Sequence, residues 1–191
     1  MREEILIDTD KRERLNLLLN LVWEWQKVKR TVGFKGRDEL WDGLVVPSVR
    51  MLEEVSFSFG WHVVDVGSGA GFPGMVMAIL RADLRLTLIE ASLRKCTIME
   101  EIKRRVGMDL EVVQGRAEEK RWENRFDAAV AMWFKDSCRA SIILRKMVHA
   151  GGLIVIISGP GGMGKDLPKG FSGNVLNERH TLISGIVSRG T

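Results

Sequence analysis

Cysteine is scarce in this chain. There are two, Cys96 and Cys138, and they lack the paired spacing of a metal knuckle or redox motif. They read as reduced thiols of a cytosolic protein, not as a disulfide framework. The three histidines, His62, His149 and His180, are scattered, so no metal site is expected. No apolar run is long enough to cross a bilayer, and the opening Met1-Arg2-Glu3-Glu4 is not that of a signal peptide. Internal repeats and low-complexity tracts are absent. These absences argue against a secreted mini-protein, a metalloprotein or a membrane-bound chain. The 191 residues, 45% hydrophobic and 28% charged, suit one soluble cytoplasmic domain with a real core.

Net charge is +4, unevenly spread. Residues 1–60 hold 10 Lys/Arg against 11 Asp/Glu, and residues 135–191 hold 8 against 3. A basic surplus at one end serves a phosphate backbone or is an ordinary solvated surface. Charge alone does not choose between them.

Residues 65–74 carry the strongest signal: Asp-Val-Gly-Ser-Gly-Ala-Gly-Phe-Pro-Gly. The run follows the apolar Trp61-His62-Val63-Val64 and precedes an apolar segment from Met75 to Leu80, which is the order strand, turn, helix. Glycines at 67, 69 and 71 allow positive φ and close approach of a ligand to the backbone. Pro73 suits the start of the helix, whose free N–H groups carry partial positive charge. A dinucleotide turn reads G-x-G-x-x-G. Here the pattern is D-x-G-x-G-x-G, with an acid before the glycines, and Glu90 ends the next apolar run. An acid at that position accepts hydrogen bonds from ribose hydroxyls. The spacing resembles the S-adenosylmethionine (SAM) loop of class I methyltransferases. It is wrong for the pyrophosphate of an NAD-linked oxidoreductase.

The pattern along the chain predicts an α/β fold. Leu15, Leu18, Leu19, Val22 and Trp25 or Gln26 follow helical spacing, with Asp10 and Glu13 as a capping-box-like start. Basic residues at 27–30, flanked by Trp25 and Phe34, belong either to an RNA-facing surface or to an amphipathic cap. A second helix is expected over 38–55, bent or interrupted by Pro47. Strands are expected at about 61–66, 84–90, 110–114, 126–132 and 153–158. Helices are expected at about 73–81, 92–106 and 136–148, with Ser92 as an N-cap and Gly107 as a C-terminal stop. The alternation implies a mostly parallel sheet covered on both faces. Two β-like runs at about 171–176 and 180–188 suggest a closing antiparallel hairpin. The expected division is a helical cap over 1–58 and a SAM-binding, Rossmann-like methyltransferase domain over 59–191.

In that topology the turn Gly115-Arg116-Ala117-Glu118-Glu119 lies beside the glycine loop, at the carboxyl edge where ligands bind. The backbone of Ala117 and the carboxylate of Glu118 are candidates for an adenine edge, or simply form a helix-start turn. Phe72 lines the same pocket or is core. Together with the Leu-Ile-Glu of 88–90, these motifs resemble the RsmG family, also called glucose-inhibited division protein B. The resemblance spans roughly residues 12–188. It implies a bacterial 16S rRNA methyltransferase acting on a guanine N7, with SAM as donor and 16S rRNA or the small ribosomal subunit as partner. By motif it implies donor contacts from Gly67, Phe72, Ala117 and Glu118. Asp65, Ser68, Gly69, Gly71 and Glu90 complete the candidate donor set.

The acceptor-side motifs differ from that family. Arg30-Thr31-Val32 stands where relatives carry Asn-Leu-Thr, and residues 43–47 where they carry His-x-x-Asp-Ser. Met132 stands where their Thr-Ala-Arg-Ala has its arginine. Lys135 and Arg139 are the candidate replacement charges. The chemistry needs no base, because guanine N7 has a free lone pair; positioning supplies the help. Residues 131–134 lack the Asn/Asp-Pro-Pro-aromatic motif of amine methylation, and Cys138 lacks the setting of a nucleophile. Trp133 and Phe134 sit where a flipped base could stack, or are core.

Overall fold

The computed structural model describes residues 7–29, 34–134, 136–159, 170–177 and 179–187. One seven-stranded sheet organises them, in the order β3-β2-β1-β4-β5-β7-β6. The strands are β1 (His62–Val66), β2 (Arg85–Glu90), β3 (Glu111–Gln114), β4 (Phe126–Met132), β5 (Val148–Ser158), β6 (Phe171–Asn177) and β7 (His180–Ile186). The first five run parallel, and β7 pairs antiparallel with both β5 and β6. The predicted α/β architecture and the closing hairpin are therefore present. Their near-continuous apolar runs follow from burial on both faces: Val63 to Val66 and Ile154 to Ile157 are all buried.

The helices are α1 (Thr9–Lys29), α2 (Arg37–Leu40), α3 (Val46–Glu54), α4 (Gly74–Leu80), α5 (Leu93–Val106) and α6 (Ser137–Met147). Leu15, Leu18, Leu19 and Val22 of α1 are buried in the same apolar cluster as Val63, Leu88 and Ile157 of the sheet. The N-terminal helices thus close over the sheet rather than standing apart from it. Ser92 caps α5 by accepting from Lys95 N, and Gly107 ends it in a left-handed conformation, as expected.

Three local expectations need correction. The cap of α1 is Asp8, whose Oδ1 accepts from Lys11 N at 2.9 Å, and not Asp10. Pro47 does not break the second helix. The chain runs on from α2 through a wide turn over Trp41–Val45, in which Val46 N donates to Trp41 O, directly into α3. Proline has no N–H to give the carbonyl four residues back, and widening the preceding turn absorbs that loss. Strand β5 starts at Val148, immediately after α6, rather than near residue 153. Its register against β4 shifts between Phe126 and Ala128, and Gly151 and Gly152 lie inside the irregular stretch. The glycines mark a bulge, not a turn. Between β3 and β4 the chain makes only a short 3₁₀ turn over Lys120–Trp122, and the Trp122 ring is buried there against Phe126.

Gly152 packs its α-carbon against the β4 backbone. A Cβ added there lies 2.5 Å from the carbonyl oxygen of Asp127 and collides with Val148. Gly152→Ala is expected to lower stability by about 1–3 kcal/mol, seen as a lower urea midpoint at unchanged slope.

Candidate donor and acceptor site

The glycine turn lies between β1 and α4, at the carboxyl end of the sheet. Gly67, Gly69 and Gly71 have φ of +68°, +60° and +95°, which side chains rarely adopt. Main-chain bonds fold the turn on itself: Gly71 N and Phe72 N both donate to Ser68 O. Others tie it to the end of β2, where Gly67 N and Ser68 N donate to Ile89 O. Pro73, joined to Phe72 by a cis peptide bond, is the residue from which α4 begins.

Two carboxylates organise the site. Asp65 is fully buried at the end of β1, and its Oδ2 accepts from Gly74 N at 2.9 Å. Its Oδ1 is buried without a hydrogen-bond partner. Burial raises the Asp65 pKa from 3.8 to about 7, against the hydrogen bonds of Gly74 and Ser68 that lower it. The Ser68 hydroxyl itself donates to the main-chain oxygen of Asp65 at 2.9 Å. Glu90 is only 8% exposed. Its Oε2 accepts from Gly69 N at 3.0 Å, its Oε1 from Ser92 N at 2.9 Å, and Lys95 Nζ lies 3.6 Å from Oε2. One acid thereby joins the glycine turn to the start of α5.

The third loop, after β3, reaches the same place. Gly115 N donates to the Glu90 carbonyl at 3.1 Å. Ala117 is half-buried and Glu118 is exposed. The turn is held by Glu119 rather than Glu118: its Oε1 accepts from Arg116 N at 2.7 Å, and its Oε2 pairs with Arg121 at 2.8 Å. Trp122 Nε1 donates to Arg116 O and closes the loop. Asp65, Gly67, Ser68, Gly69, Gly71, Glu90 and Ala117 thus belong to one connected cluster of loops. The Phe72 ring is buried in the main core.

On the central strand, next to β1, Met132 ends β4 nearly buried, and Trp133 and Phe134 follow it. Arg139 is exposed in the first turn of α6, its main-chain N held by the Asp136 carboxylate. Lys135 lies outside the described residues. Among the described residues no cluster of three or more His, Cys, Asp or Glu is arranged to hold a metal. Nor is any helix among them long and apolar enough to cross a membrane.

Sequence reasoning missed Lys95 and the role of α1. Val22 and Trp25 of α1 line a small cavity with Gly69, Ala70, Lys95, Ile98 and Ile102, so the N-terminal helix roofs the glycine turn. A signal was present: Val22 and Trp25 lie on the helical stripe. The periodicity marks the buried face, however, not what it is buried against.

This sheet order, with an acidic glycine turn after β1 and a second acid ending β2, defines a class I SAM-dependent methyltransferase fold. A SAM-dependent methyltransferase structure from Aquifex aeolicus superposes with a TM-score of 0.60 over 78% of this chain and 93% of that one, at 14% identity. TrmN from Thermus thermophilus superposes at 0.56 over 73% and 48%, also at 14% identity. The chain belongs to the GidB family, rRNA small subunit methyltransferase G, whose model matches residues 11–162. Among curated relatives, the ribosomal RNA small subunit methyltransferase G of Aquifex aeolicus is 31% identical over 150 residues, 76% of each chain. That of Methylobacillus flagellatus is 31% identical over 148 residues, 77% of this chain and 71% of its own. The Mycobacterium leprae protein is 37% identical over 125 residues; there the match spans 64% of this chain and half of the relative.

The buried Asp65 gives the site a pH signature. The unfolded chain releases this proton near pH 3.8, while the folded protein keeps it to about 7. Between those values the folded state holds more protons, so the Asp65 contribution to stability declines as pH rises, then levels off. Asp65→Asn removes that titration. The stability difference, Asn variant minus wild type, is expected to move in favour of Asn by roughly 1.4 kcal/mol per pH unit between pH 4 and 7. It should stay constant above that range. Denaturant titrations at several pH values check this, and a flat difference would contradict the buried, proton-holding carboxyl.

Proposed function

We propose that this protein transfers the methyl group of SAM to N7 of a guanine in 16S rRNA, acting on the small ribosomal subunit or its RNA. The observation that carries the donor half is the unpartnered, fully buried Oδ1 of Asp65 beside three positive-φ glycines. A buried carboxylate oxygen without a partner costs roughly 1–3 kcal/mol or more, and a ligand donor relieves it. The α-ammonium of SAM is a donor of that kind. The glycines at 67, 69 and 71 leave the backbone open to the ligand, and Ser68 fixes the turn between them. Glu90 is the acceptor for the ribose hydroxyls; Lys95 and the Gly69 N–H hold its carboxylate in the meantime. Ala117 and Glu118 sit on the loop suited to the adenine edge. Phe72 contributes from beneath, as core that fixes the turn. Residues 1–58 are read as a helical cap on the methyltransferase domain of 59–191, the two forming one compact unit, a reading that the packing of α1 against the sheet and the glycine turn supports.

Bound SAM supplies an electrophilic methyl on a sulfonium. The protein's residues supply orientation: the purine N7 lone pair needs no base, so alignment is the main contribution. The relatives' shared name supports an rRNA acceptor. The uncharged end of β4 at Met132 supports a second reading, in which the same donor site serves a different acceptor.

Incubating the purified chain with labelled SAM and small subunits lacking the modification tests both. Methyl incorporation should appear as 7-methylguanine and vanish in Gly67→Asp, since Gly67 has φ +68° and its Cβ position is 3.6 Å from Phe134. Label in another nucleotide favours the second reading. Donor binding without transfer to any RNA rejects the first.

A further inference from the structure

The rings beyond β4 form a feature that the donor site does not use. Asp65 pairs in register with Val130, so Trp133, three residues on, stands at the same carboxyl end of the sheet. Its φ is +59°, one of two positive values on non-glycine residues among those described. Such a conformation is unfavourable for a bulky residue, and it persists where the surroundings enforce it. Here Trp133 N donates to Ile157 O at 2.8 Å, and the indole lies against Gly159, whose Cβ position is 3.3 Å from Cδ1.

That arrangement presents the indole rather than burying it. Trp133 stays 38% exposed, although it packs on two other rings. The Phe34 centroid is 5.5 Å away, and the His180 imidazole is nearly parallel, at 10° and 6.2 Å. Gln26 donates to the Phe34 carbonyl and fixes that ring from α1. His180 is buried, and its pKa is lowered by that burial, which keeps the imidazole neutral. The next residue, Phe134, touches the Gly67 position of the glycine turn. This aromatic shelf is one exposed indole backed by two uncharged rings, the imidazole stacked on it and the Phe34 ring tilted against it, next in the chain to Phe134 at the donor loop. An exposed, uncharged aromatic group suits a nucleobase, not a phosphate.

We propose that Trp133 is a catalytic residue of this site: the acceptor purine stacks on its indole, and the ring stabilises the positive charge that methylation creates. The proposal rests on the guanine-N7 reading. In the reaction the N7 lone pair forms the new N–C bond as the S–C bond breaks, and the bonding pair passes to sulfur. No proton moves. Sulfur becomes neutral and the purine becomes cationic. Stacking occupies the face of the purine and leaves its N7 lone pair, which lies in the ring plane, free to point at the donor. Tryptophan is the side chain with the strongest attraction for a cation over its face. That attraction grows as charge arrives on the purine, so it acts on the transition state more than on the bound guanine.

Two measurements on the purified full chain test this. The first is competition binding of guanosine 5′-monophosphate and its 7-methyl form, in mildly acidic buffer where the methylated purine keeps its charge. Wild type should prefer the 7-methyl form by about tenfold, and Trp133→Leu should erase that preference. Equal binding of both nucleotides by wild type overturns the proposal. The second is steady-state transfer to small-subunit RNA. Trp133→Leu should lower kcat about tenfold with SAM binding unchanged, and Trp133→Phe should lose only about threefold. If Trp133→Phe falls as far as Trp133→Leu, or if kcat holds in both, the π-face has no catalytic role. If wild type methylates no RNA, the guanine-N7 reading fails instead, and the nucleotide preference still reports on the shelf.

Discussion

The donor loop is built around a carboxylate that the fold keeps out of water. Asp65 lies one residue from the end of a strand buried on both faces, and one of its oxygens takes the first N–H of α4. Strand, turn and helix therefore meet at a single side chain. The other oxygen has no partner, so the protein carries an unmet electrostatic demand beside the glycine turn. Burial raises the cost of the charge until the group titrates near neutrality. The turn of positive-φ glycines follows from the same constraint, because the chain must reverse over that carboxyl to bring the Gly74 N–H back to it.

Around this point three loops are stitched together by main-chain bonds. The ends of β1 and β2 join through Gly67, Ser68 and Ile89, and the loop after β3 joins through Gly115 and Glu90. Glu90 repeats the job of Asp65 at the next strand, but less buried and fully engaged by Gly69, Ser92 and Lys95. One acid is left wanting a donor and the other is already supplied. A ligand that satisfies Asp65 and shares Glu90 therefore meets a site that is largely preformed.

Much of this was legible in the chain itself. Strands β1 and β2 stand out because their apolar runs end at glycine or at an acid, and those residues act through the backbone locally. Ser92 and Gly107 were readable for the same reason. The features that escaped depend on what lies across the fold. The start of β5 at Val148 is invisible because Gly151 and Gly152 look like a turn until β4 is seen to need a bulge there. The wide turn before Pro47 conserves helical direction that the proline alone argues against. The roof that α1 places over Gly69 and Ala70, and the reach of Lys95 to Glu90, are long-range contacts that no local pattern encodes. The Trp133 shelf falls between these cases. Its residues were visible, but the conformation that turns the indole outward was not.

Gly74 carries a consequence beyond the turn it serves. A Cβ there would lie 2.8 Å from Asp65 Oδ2 and 2.7 Å from Leu88 Cδ1. The missing atom is thus the space in which an acid from β1 and a leucine from β2 meet the first turn of α4. These three positions form one unit of variation. A larger residue at 74 demands a smaller one at 88 and a different geometry at 65, so a lineage drifting at one must move through all three together.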